Sequence, residues 1–193
     1  VGVLLEEGHY SPRKIDDAFS RDVLARFTKD LDDDKSIFLQ SDINAFKKFE
    51  KDIDDEIHGK ELQSFYEIAS LYNKRFDEVM GFYSAMLDKP FDFSINEKIV
   101  LDSDKNAYPK NEAERKEVWR KRLKYAVLTR YSDLLDEREK NKDKKDFVSK
   151  PDSTLEREAR DQVRKQLGRY FSTRKNRETE EEHFSTFVNA ITG

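Results

Sequence analysis

The sequence predicts an all-α fold, an irregular bundle of about six or seven helices, from three observations. Apolar residues recur every three or four positions along most of the chain, the spacing of one face of an α-helix. No segment alternates strictly between apolar and polar residues, no Asn-Gly or Gly-Asn hairpin turn occurs, and there is no internal repeat. Charged residues make up 40% of the 193, against about 25% in an ordinary globular protein, yet the chain carries 14 Phe, 8 Tyr and 1 Trp. Such a chain buries narrow aromatic stripes beneath wide solvated faces, and its aromatic content separates it from disordered tails.

The first helix is expected to open at Ser11, with Pro12 as its first helical residue, and to bury Ile15, Phe19, Val23, Leu24, Phe27 and Leu31. The run Leu31-Asp32-Asp33-Asp34-Lys35 ends it, because aspartate side chains compete for nearby backbone amides. A second long helix starts near Ser41 or Asp42 and turns Ile43, Phe46, Ile53 and Ile57 inward. It stops before Gly59, which suits a left-handed C-terminal cap. The third carries Leu62, Phe65, Tyr66, Ala69, Tyr72, Phe76, Val79, Met80, Tyr83 and Leu87 on one stripe for about seven turns. Pro90 closes it, since proline cannot extend the hydrogen-bond ladder.

Residues 89 to 111 read as an ordered connection pinned by Phe91 and Phe93, with a short helix around Glu97 to Leu101. Asn111 and Glu114 supply an N-cap and a capping-box partner for the next helix. That helix turns Trp119, Leu123, Ala126, Val127, Tyr131, Leu134 and Leu135 inward, and its continuation EREKNKDKKD, 137 to 146, is an exposed end or flexible loop. Ser153 with Glu156 opens a helix with Leu155, Ala159, Val163, Leu167 and Tyr170 inward. Thr179 with Glu182 opens the last, with Phe184, Phe187, Val188 and Ile191. A single helical domain over 1–193 is expected, and the charged stretch near 136–153 is where it would subdivide.

Several function classes are disfavoured by the residues themselves. With no cysteine there is neither a disulfide framework nor thiol chemistry. No apolar run approaches the roughly 20 residues that span a bilayer, so no membrane span is expected. No basic and apolar leader precedes Val1, which leaves a cytosolic protein or one whose export signal has been removed. There is no Gly-x-Ser-x-Gly elbow, and Ser11, Ser41 and Ser153 have helix caps to fill, so no catalytic residue is assigned. The histidines are His9, His58 and His183. Glu6 with His9 and Glu180 with His183 have the Glu-x-x-His spacing of di-iron bundles, but such sites need both pairs and two further glutamates in one four-helix core. Gly8 and Pro12 flank His9, and Glu180 to Glu182 occupy a first helical turn, where acids favour the helix dipole. No metal and no cofactor are assigned.

The formal net charge of −4 hides an asymmetry: residues 112 to 177 hold 21 Lys and Arg against 13 Asp and Glu, leaving the rest of the chain at −12. ERKEVWRKRLKY, 114 to 125, and REARDQVRKQLGRYFSTRKNR, 157 to 177, are basic with interspersed aromatics, as phosphate-binding helices are. Interleaved acids, and apolar-stripe positions for Trp119, Leu123 and Tyr170, favour solvated faces with intrahelical pairs. Nucleic acid is therefore not expected as a partner. A docking surface for an acidic protein is the next reading, with Arg160 and Arg164 as its candidate residues.

Five segments carry a family resemblance: LLEEGHYSPRKIDDAFS (4 to 20), FLQSDINAFKKFEKDID (38 to 54), KPFDF (89 to 93), WRKRLKY (119 to 125) and FVNAITG (187 to 193). In this order they resemble the N-terminal region of the tail-specific proteases, or carboxyl-terminal processing peptidases, over roughly residues 1 to 192. Those are exported bacterial serine peptidases in which a helical N-terminal region precedes a PDZ domain and a protease core with a serine-lysine dyad. They cleave proteins selected through nonpolar C-terminal tails, and in Gram-negative bacteria they act in the periplasm. The resemblance implies a noncatalytic, periplasmic accessory domain that helps enclose substrate and docks an adaptor. Its partners would be the PDZ and protease domains of its own chain and the substrates themselves. No carboxylate-binding loop and no dyad position lies in this sequence, so no catalytic residue carries over. The competing reading is a free-standing helical adaptor or scaffold that binds protein or nucleic acid, for which strongly salt-dependent nucleic-acid binding would speak. Without its partner domains the chain is expected to self-associate, which sedimentation tests.

Overall fold

The computed structural model describes residues 14–177 and 179–193. The expectations placed on Glu6, His9, Ser11 and Pro12 lie outside them. Among the described residues there are seven α-helices and no strand: α1 (Asp17–Leu31), α2 (Gln40–Phe46), α3 (Ile53–Ile57), α4 (Gln63–Phe82), α5 (Glu112–Asn141), α6 (Asp152–Arg177) and α7 (Glu180–Thr192). Three 3-10 turns, Lys47–Lys51, Ala85–Leu87 and Ser103–Lys105, complete the regular structure.

α1 begins at Asp17, because the Asp16 carboxylate accepts the amides of Ala18 and Phe19 at 2.9 and 3.2 Å. Asp16 thus caps the helix, and Lys14 and Ile15 ahead of it are not helical. The acidic run ends α1 as anticipated. Asp32, buried, accepts the amides of Ser36, Ile37 and Phe38 at 2.9 to 3.0 Å, and Lys35 takes a positive φ of 53°.

The single helix expected from Ser41 to Ile57 is divided into α2, a 3-10 turn and α3. Ser41 is not its cap; Asp42 reaches back to accept the Leu39 amide at 2.9 Å. Phe46, Phe49 and Ile53, spaced three and four apart, all reach the core across the break. Gly59, at φ +118°, occupies a backbone region that side chains disfavour.

Glu56 of α3 opens α4 by accepting the amides of Gln63 and Ser64, at 3.1 and 2.9 Å, and the Ser64 hydroxyl. α4 stops at Phe82 rather than running on to Leu87, and the 3-10 turn Ala85–Leu87 lies ahead of Pro90. In the 89–111 connection the pins hold as expected: Phe93 stacks on Tyr131 with centroids 5.9 Å apart, and Phe91 lies 6.4 Å from Phe93. The helix expected at Glu97 to Leu101 is absent, and the only helical turn here is Ser103–Lys105. Glu97 is drawn across to Arg120 and Lys124 of α5, and Lys124 Nζ donates to the Ile95 carbonyl at 3.0 Å. These cross-links hold the segment open.

Asn111 caps α5 by accepting the Glu114 amide at 2.9 Å, and Glu114 in turn accepts the Lys110 amide at 2.6 Å. α5 runs to Asn141, so the first half of the 137–146 stretch is the helix's end, one of the two forms expected of it. At 30 residues it is about 45 Å long. α6 opens one residue before Ser153, which therefore sits in the first turn. The Pro151 carbonyl accepts the amides of Thr154 and Leu155, and Glu156 turns to Arg160. Thr179 caps α7 through the Glu182 amide at 3.3 Å.

The buried residues from Ile15 to Ile191 form one cluster. α1, α4 and α7 meet through aromatic rings: Phe27 lies edge-on to Phe187 at 5.0 Å and 6.2 Å from Phe65. α5 and α6 pair along an aliphatic seam of Val127, Leu134, Leu155, Ala159 and Val163, all buried. Phe171 of α6 joins the two parts by touching Phe76, Tyr83 and Trp119. It fills the buried place expected of Tyr170, which is about half exposed, as are Tyr66 and Phe184, also expected inward.

Candidate functional site

The two arginines singled out in the sequence lie on one face of α6, where it crosses the chain leaving α4. Arg160 follows Glu156 by one turn and meets its carboxylate through Nε at 2.9 and 3.0 Å, while Nη1 donates to the Leu87 carbonyl at 2.9 Å. Both side chains of the pair are only 11% exposed. Arg164 donates to Ser84 Oγ at 3.2 Å and Asp88 Oδ1 at 2.9 Å, and keeps 33% of its side chain in solvent. The pair fastens the 84–88 turn to α6 through the Leu87 carbonyl, Ser84 and Asp88.

A second polar site joins α2, α4 and α5. Arg75 holds Asp42 through Nε and Nη2 at 2.8 and 2.9 Å and Glu78 through Nη1 at 3.0 Å. Arg115 closes the network by donating to Glu78 at 2.5 Å and to the Ile37 carbonyl at 2.9 Å. Burial opposes ionisation of Glu78, but its hydrogen bonds to Arg115 and Arg75 outweigh it and hold the carboxyl below the ordinary range. Beside it, Trp119 Nε1 donates to the Ser36 carbonyl at 2.9 Å. Sequence reasoning placed 114–125 on solvated faces and missed Arg115, which is fully buried. The signal was there in the spacing: Arg115 stands four residues before Trp119 and eight before Leu123, on the same helical stripe.

A third cluster ties the 93–101 segment to α5. Glu97 receives hydrogen bonds from Arg120 and Lys124, which bring its carboxyl down to about 2. A cleft of about 270 Å³ lies here, with Phe93, Ile95, Ile99, Tyr125 and Leu128 in its walls.

Among the described residues, His58, His183 and the hydroxyls of Ser20 and Ser64 are engaged in hydrogen bonds of the fold. Ser20 Oγ donates to Asp54 Oδ1 at 2.7 Å, and the Ser64 hydroxyl to Glu56. His183 Nε2 lies 3.0 Å from Asn73 Oδ1, with its ring edge-on to Tyr72. His58 Nδ1 lies 2.7 Å from the Asp54 carbonyl. Among the described residues no group of three or more His, Cys, Asp or Glu is placed to hold a metal ion, and no helix is long and apolar enough to cross a membrane. What the polar groups form is a set of joints between helices, with basic and apolar surface left on the α5–α6 hairpin.

Comparison with known proteins agrees with the family resemblance. The family described as the tail specific protease N-terminal domain matches residues 2–193. A tail-specific protease of Haemophilus influenzae is 31% identical over 125 residues, which are 64% of this chain and 18% of that protein. The matched stretch is thus less than a fifth of its relative's length.

Proposed function

The chain belongs to the tail specific protease N-terminal domain family, and from that premise we propose that it is the noncatalytic accessory domain of a periplasmic serine protease. The parent would use a serine-lysine dyad to degrade or process proteins selected through nonpolar C-terminal tails. This domain would pack against the PDZ and protease units, help enclose the substrate and dock an adaptor. The observation that carries the reading is the family match across nearly the whole chain. The structure supports it by engaging Ser20, Ser64, His58 and His183 in joints and hydrogen bonds of the fold. Arg160 and Arg164 enter the proposal at the 84–88 turn, where the solvent-facing part of Arg164 and the exposed Asp88 present a polar edge to an adaptor.

The test has two arms. Reading the native gene on both sides of this segment should reveal a PDZ domain and a protease core with serine and lysine in dyad positions. The 193-residue chain alone should leave a reporter with a nonpolar C-terminal tail uncut, whereas the parent should cut it and lose that activity when this segment is deleted. Cleavage by the isolated chain, or a parent indifferent to the deletion, would overturn the proposal.

A further inference from the structure

Five large apolar side chains exposed to solvent lie on the 95–101 segment and the adjoining stretch of α5. Ile95, Tyr125 and Leu128 wall the cleft beside the 93–101 segment, and Val100 and Leu101 follow directly on Ile99 of the same wall. Soluble surfaces rarely collect apolar side chains in this way without a partner. The backbone here is also unusual. Residues 96 to 102 are neither helical nor turned, and exposure alternates from Asn96 to Val100, as along a strand lying on a helix. Among the described residues no backbone amide or carbonyl from 95 to 101 pairs with another backbone group, and the Ile95 carbonyl takes Lys124 instead. An extended run with an unpaired edge is a template for an added strand.

The charges select the partner. Lys98, Lys121 and Lys124 line the cleft against one carboxylate, Glu97, which Arg120 and Lys124 already neutralise. Lys98 has no ion-pair partner among the described residues, and Lys121 only a distant one, Glu117 at 4.0 Å. A second copy of this chain is a poor occupant, because antiparallel self-pairing about the middle of the run sets Lys98 against Lys98. We propose that residues 95 to 101 and the adjoining face of α5 form a docking edge. It takes an extended segment of another protein as an added strand, one in which apolar residues alternate with acidic ones. Apolar side chains of that segment lie over Ile95, Tyr125 and Leu128, and its carboxylates meet Lys98 and Lys121. The proposal does not depend on the protease reading.

The probe is a short fluorescein-labelled peptide of alternating valine and glutamate, with a valine–lysine peptide as control, followed by anisotropy against the 193-residue chain. Saturable binding of the acidic peptide alone is expected, with hydrogen exchange slowed at the 95–101 amides. Reversing Lys98→Glu and Lys121→Glu together should weaken it by about tenfold or more. Val100→Pro, which removes an edge amide, should do likewise, and Leu101→Asp serves should the proline variant fold poorly. Unchanged thermal melting certifies each variant. No saturable binding, equal binding of both peptides, affinity untouched by these changes, or protection elsewhere would each overturn the proposal. So would sedimentation showing that two copies cover this face.

Discussion

The α1–α4–α7 part and the α5–α6 hairpin are both helical, yet they are held together by different physics. In the first, large rings interlock: Phe27, Phe65 and Phe187 touch one another, Tyr72 stacks on Phe76, and all five are almost wholly buried. In the second, a thin aliphatic seam is flanked by charged pairs such as Lys142 with Glu139 and Lys150 with Glu158, which are largely solvated. Ring burial contributes several kcal/mol per residue, whereas solvated ion pairs contribute at most about 1 kcal/mol each. Stability should therefore concentrate in the aromatic part, and the hairpin should depend on the joints that attach it.

The sharpest way to break this contrast is Phe27→Ala. Phe27 touches both Phe65 and Phe187 from a fully buried position, so the loss should be about 4 kcal/mol, read from urea unfolding. Arg115→Ala tests the main polar joint. It strands the Ile37 carbonyl and one side of Glu78, and should cost about 3 kcal/mol; Arg115→Met strands the same groups but fills more of the buried volume, and should cost less. Arg160→Glu sets two carboxylates face to face and frees the Leu87 carbonyl. It should cost about 2 kcal/mol and speed hydrogen exchange in the 84–88 turn before the rest of the molecule. Lys142→Ala on the hairpin's outer end should change stability by less than about 0.5 kcal/mol. A Lys142 effect as large as that of Phe27 would contradict the comparison.

A pH experiment sharpens it further. The Glu97 carboxyl titrates near 2 in the folded chain, below its ordinary 4.5, because Arg120 and Lys124 hydrogen-bond to it. A depressed acid stabilises fully above its unfolded value and loses that contribution as pH falls through the folded one. The tie between the 93–101 segment and α5 should thus persist through mild acid and loosen between about 4.5 and 2. An NMR titration of the Glu97 carboxyl shows this directly, and a midpoint at the ordinary value would remove the tie.

Much of this fold is legible in the sequence because stripes and caps are local. Asn111 and Thr179 cap where their spacing to Glu114 and Glu182 says they should, and the aspartate run ends α1. Errors arise where a distant group decides the outcome. Glu97 leaves a helical spacing because Arg120 and Lys124, more than 20 residues away, compete for it. Arg160 and Arg164 read as surface charge because the carbonyl and carboxylate that receive them lie more than 70 residues earlier. For the same reason the docking edge is invisible in the sequence: Val100 and Leu101 look like helix residues until the segment is seen to be open.

The chain holds a single tryptophan, Trp119, and it is buried where α5 meets the 32–38 loop and Phe171. Its emission is therefore a built-in gauge of how the hairpin seats on the aromatic part. A red shift that precedes loss of helical circular dichroism would time the hairpin's release, with no label attached to either half.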